Sequence, residues 1–145
     1  MKLKEIKDPS IAKEKFDYIS NVKNKLEYGK WVAYMDAHQD DYTWYENTID
    51  GIYMKNNIDK VPENFREGEL LSLSKHQVFS EFNSKKGYYE IRIVFNDKTG
   101  VIGTTFMKSI SRAHVAKLIE LANHMGAYLL NDGTDIIDEK VLERL

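Results

Sequence analysis

The sequence has no cysteine. That absence removes disulfides, thiolate zinc sites and cysteine nucleophiles together, because each needs a sulfur as cross-link, ligand or attacking group. It also suits a reducing compartment. Proline occurs only twice and glycine eight times in 145 residues, too sparsely for a flexible arm or an interdomain linker. A single domain over residues 1–145 is expected, at a length that buries a core without staples. No apolar run approaches the roughly 20 residues of a membrane span, and MKLKEIKDPS has lysines with no signal-like apolar run behind them. The expectation is a cytoplasmic protein with no membrane role. G-x-G-x-x-G, Walker A, G-x-S-x-G and H-E-x-x-H spellings are also missing, which takes the usual support from nucleotide, serine-hydrolase and zincin chemistry. No cofactor is expected.

Charge of one sign is lacking overall: the net is −2, so nothing draws the whole chain to nucleic acid or an anionic membrane. The distribution is uneven. Residues 1–30 carry eight lysines against five acids, residues 31–60 two lysines against six acids, and the remainder eleven bases against twelve acids. The acidic third coincides with an aromatic one. Residues 31–54, WVAYMDAHQDDYTWYENTIDGIYM, hold both tryptophans and four of the nine tyrosines beside Asp36, Asp40, Asp41, Glu46 and Asp50. Ring faces and carboxylates both attract cations, and the two together suit a protein-binding surface or a sugar site better than a phosphate backbone. Nucleic-acid binding is therefore not expected.

The periodicity predicts an α+β fold: a mainly antiparallel sheet with helices packed on one face, a two-layer sandwich. A helix is expected from about Pro9 to Tyr28, capped by Asp8 and closed by Gly29, with Ala12, Phe16, Ile19, Val22 and Leu26 on one stripe. Alternation over Trp31–Asp36 predicts a strand pairing with YTWYE, and GIYMK at 51–55 a third short strand after the Asp50-Gly51 turn. Residues 56–68 read as a loop with one helical turn after Pro62, followed by strands near 69–74, 77–83, 88–96 and 101–107. In the 88–107 hairpin, Tyr89, Ile91, Ile93 and Phe95 are assigned to the core side, with Glu90 and Arg92 paired on the wet side. A helix over Arg112–Met125 follows, with Ser111 as N-cap and Gly126 as its stop. The chain then continues as a strand at 127–131 and a turn at Asp132-Gly133, followed either by a strand over TDII or, as preferred, by a helical C-terminus after Asp135.

Two constellations carry chemistry. Asp36, His38 and Asp40 alternate in an extended segment with Asp41 adjacent, so their imidazole and carboxylate groups would converge on a divalent cation or act as base and orienting partner in a glycan- or small-molecule-directed enzyme. Asp and His also simply make turns, no second ligand-bearing element accompanies them, and no metal is assigned. The second is the ring set Trp31, Tyr34, Trp44 and Tyr45 with its acids. Strand parity would bury some of these rings and expose the rest. The preferred reading is a small non-enzymatic interaction or regulatory domain that binds another protein through Trp31, Tyr34, Asp36, His38, Asp40, Asp41, Trp44 and Tyr45, with a homodimer as an open possibility.

Overall fold

In the computed structural model, which describes all of residues 1–145, the chain runs through β1 (Ser10–Ala12), α1 (Tyr28–Ala37), β2 (Thr43–Trp44), α2 (Ile49–Asn56), α3 (Glu63–Ser72), β3 (Gln77–Asn83), β4 (Tyr88–Asn96), β5 (Val101–Phe106), α4 (Arg112–His124), β6 (Tyr128–Asn131), β7 (Asp135–Ile136) and α5 (Glu139–Glu143). The strands make one antiparallel sheet in the order β2-β3-β4-β5-β1-β6-β7. Helices pack on it, as the periodicity predicts. None of them is long and apolar enough to cross a membrane.

The best-read part of the chain is 77–131. In β4, Ile91, Ile93 and Phe95 are buried at a two-residue spacing, and Ile93 lies opposite Val78 on one side and Thr104 on the other. Above them α4 buries Val115, Leu118, Ile119 and Ala122, the three- and four-residue stripe of an amphipathic helix. Ser111 caps it by accepting from the His114 N–H, and Gly126, at φ +64, ends it. The other sheet face is closed at one end only. There Ala12, Val101 and Leu130 form a second small cluster under Phe16, Val22 and Ile136, side chains of an irregular cover and of β7. Asp132 and Gly133, at φ +54 and +75, turn the chain back into β7, and Asp138 then caps α5.

The first 75 residues fold differently from the periodicity reading. The helix expected over 9–28 is absent: Ser10–Ala12 is β1, the strand between β5 and β6, with Ile11 opposite both Ile102 and Leu129. Closing the gap between two strands buries Ile11 and Ala12 completely, which outweighs a helical stripe of which Ile19 remains 44% exposed. The strand expected at 31–36 is α1. Trp31, Met35 and the alternate residues between satisfy a two-residue period, but Trp31, Tyr34 and Met35 also satisfy a helical one, and these three are the buried residues. The hairpin with YTWYE reduces to β2, two residues paired with β3. GIYMK lies in α2 rather than a strand, and Pro62 precedes α3, which runs through Gly68 and absorbs the strand expected at 69–74. Short apolar runs in both places fit either element.

Two glycines separate packing from propensity. A Cβ at Gly51 would overlap the Tyr45 carbonyl oxygen, because α2 crosses the 3₁₀ turn Tyr45–Asn47 there, whereas nothing lies within 4 Å of one at Gly29 in α1. Gly51→Ala is expected to cost about 1–3 kcal/mol through overpacking. Gly29→Ala should be neutral or stabilise by up to about 1 kcal/mol. Urea unfolding of both variants checks this, and equal effects would contradict it.

Candidate functional site

The eight residues singled out in the sequence divide into scaffold and surface. Trp31, Tyr34 and Trp44 are buried at 0, 5 and 3% exposure, so no partner reaches them. Both indole N–H groups are used internally. The Trp31 indole N–H donates to the Lys75 carbonyl at 2.9 Å, and that of Trp44 donates to Asp36 Oδ1 at 3.0 Å. The two rings meet edge to face at 5.9 Å, while the Lys75 ammonium stands 5.6 Å over Trp44 and pairs with Asp36 at 3.4 Å. Asp36 thus holds a core indole in place.

The remaining chemical cluster does not converge. His38 ends α1, stacks on Tyr34 at 3.9 Å, donates from Nδ1 to the Tyr34 carbonyl at 2.7 Å, and has Glu120 3.6 Å from Nε2. Asp41 pairs instead with Lys117 at 3.2 Å, and Asp40 is exposed. No group of three or more His, Asp or Glu side chains is placed to hold a metal ion. Burial, with Glu120 and Asp41 nearby, pushes the Tyr34 hydroxyl up to about 12, and burial, with Tyr34 next, raises that of Tyr42 as well. Both hydroxyls stay protonated at neutral pH.

Of the eight, Tyr45 opens onto a built feature. It begins a row of rings that continues to Phe79 at 5.9 Å, Tyr89 at 5.6 Å and Phe82 at 5.0 Å. With Asp50 and Tyr88 these rings line a cleft of about 400 Å³ between α2 and the β3–β4 hairpin. Beside it α2 turns Ile49, Ile52 and Tyr53 outward at 79, 49 and 68% exposure. Their spacing of three and four residues makes an apolar helical stripe facing solvent. Tyr89, expected in the core row with Ile91, lines the cleft instead.

The diversion accompanies a break in the ladder at Glu81. Pairing skips from Ser80↔Ile91 to Phe82↔Tyr89, and Glu81 takes φ +57, a left-handed conformation that costs a non-glycine residue about 1–3 kcal/mol. Its carboxylate is held in compensation by His114 Nε2 and by Lys108 at 3.0 Å. Lys108 also reaches Glu90 at 3.1 Å, and Glu90 accepts from Asn83 at 2.8 Å, so the expected Glu90–Arg92 pair is not formed. Arg92 donates to Gln77 instead, at 2.8 Å. His114 spends its other nitrogen accepting the Ser111 backbone N–H at 2.9 Å. With both nitrogens engaged, His114 clamps α4 to the sheet.

The largest cavity, about 880 Å³ between Leu3–Asp8 and Phe106–Ile110, holds one acid, Asp8, which accepts the Phe106 backbone N–H at 2.9 Å. No protein-family model matches the chain, and no curated protein or solved structure matches it significantly.

Burial pushes the Glu81 carboxyl up, but hydrogen bonds from Lys108 and His114 outweigh it and leave the group below its ordinary range. A lowered folded-state value stabilises above the unfolded carboxyl's range and is lost as pH falls through the folded one. Glu81→Gln is therefore expected to be less stable than wild type at pH 7, with the difference shrinking towards pH 3. Thermal unfolding across that range is the measurement, and a pH-independent difference would contradict the assignment.

Proposed function

We propose that this protein is a non-enzymatic interaction or regulatory domain of the cytoplasm that binds another protein through an acidic aromatic surface. That surface comprises Tyr45, the outward stripe of α2 and the adjoining cleft. The observation that carries the reading is the α2 stripe. A helix that turns Ile49, Ile52 and Tyr53 to water while burying only Gly51 gains little from its own domain and is explained by a partner that covers it. Asp50 is the one charged residue among those lining the cleft, which favours a basic partner. Aromatic anchors ringed by polar residues are the composition of binding hot spots.

Ile52→Asp and Tyr53→Ser are expected to abolish or weaken binding at least tenfold, on the order of a hot-spot truncation, with thermal stability nearly unchanged. Trp44→Ala should lose about 3–5 kcal/mol of stability as a core truncation. Affinity capture from source cells with wild type and with Ile52→Asp as baits, followed by titration of purified components, checks the reading. Sedimentation of wild type alone tells whether the partner is a second copy. Unchanged affinity in both α2 variants would sink the proposal.

A further inference from the structure

We propose that the cleft between α2 and the β3–β4 hairpin receives an arginine side chain of the partner, an inference that rests on the protein-binding reading above. The lining rings Tyr45, Phe79, Tyr89 and Phe82 follow one another at 5.9, 5.6 and 5.0 Å, Tyr88 lines the same cleft, and no lysine or arginine is among the lining residues. Ring faces attract cations. The chain's own Lys86 already stands 6.0 Å over Tyr88 at the rim.

An anion is in place to meet the same cation. Asp50 lines the cleft, is exposed, and makes neither an ion pair nor a side-chain hydrogen bond. The Tyr45 hydroxyl is pushed up by burial first and then by Glu69 and Asp50, so two carboxylates act on the mouth of the cleft. A guanidinium suits this geometry better than an ammonium, because its plane stacks on a ring while its fork engages a carboxylate. A free small cation would leave the adjacent Ile49, Ile52 and Tyr53 uncovered. The occupant is therefore an arginine carried on an apolar protein segment.

Fluorescence anisotropy in low-salt buffer tests this with labelled peptides of alternating Leu and Arg, Leu and Lys, and Leu and Glu, and with acetyl-arginine amide and tetramethylammonium as competitors. The Arg peptide is expected to bind saturably, about tenfold more tightly than the Lys peptide, and the Glu peptide not at all. Asp50→Asn and Phe82→Ser should each weaken the Arg peptide by about fivefold or more, and neither side chain is part of the core. Equal binding of the Arg and Glu peptides, or indifference to Asp50→Asn, overturns the inference. Displacement by tetramethylammonium at concentrations as low as by acetyl-arginine amide overturns the choice of arginine. If no peptide binds while Ile52→Asp still loses the captured partner, the arginine pocket falls and the protein-binding reading stands. If Ile52→Asp also keeps the partner, both fall.

Discussion

The contact on which this architecture depends is the edge-to-face pair of Trp31 and Trp44, 5.9 Å apart, each with its indole N–H satisfied. Trp31 belongs to α1 and Trp44 to β2, so the pair fastens the first helix to the outer edge of the sheet. Burying two indoles supplies a large apolar gain, and leaving either N–H unpaired there would cost a buried donor's desolvation. The Lys75 carbonyl and the Asp36 carboxylate remove that cost. Lys75 adopts φ +60 in doing so, and its ammonium returns to Asp36. A single knot thus consumes two of the rings, one of the acids and the nearest lysine in this part of the chain.

With those residues committed inward, the surface available to a partner shifts to the far side of β2. α2 and α3 contribute almost nothing to the core, and the rings of the β3–β4 hairpin stand beside them. The break at Glu81 belongs to the same division of labour. Its carboxylate is clamped to α4 by His114 and Lys108, whereas Phe79, Phe82 and Tyr89 gather in the cleft. A left-handed glutamate in a strand persists only when its surroundings over-determine it, and the ionic clamp is that surrounding. α4 buries five side chains against the sheet, whereas α2 buries only Gly51 and α3 none.

Legibility along the chain followed the strength of the local signal. The β3–β4–β5 meander, α4 with Ser111 and Gly126, β6 and the Asp132-Gly133 turn were all readable, because period, cap and turn chemistry agree at each. β1 was not readable. Its three residues sit inside a helical stripe, and what makes them a strand is the space between β5 and β6, elements about 90 and 120 residues away in sequence. The aromatic cluster was located correctly as a bias in composition, but its rings were sorted by a strand period where a helix forms. Phe79, Phe82, Tyr88 and Tyr89 were visible as an aromatic-rich hairpin, with no sign of the break that groups them with Tyr45.

By itself the sequence determined the absence of thiol chemistry, the α+β class, the better half of the sheet with its covering helix, and the concentration of acid and aromatic residues in 31–60. Those properties reside in composition and in short-range periodicity, which no fold can alter. Only the tertiary structure decided which rings hold the core and which face water, which acids are spent on indoles and lysines, and that Asp50 stands unpaired beside a row of rings. Burial and pairing are contests among residues distant in the chain, and their outcome exists only once those residues have met.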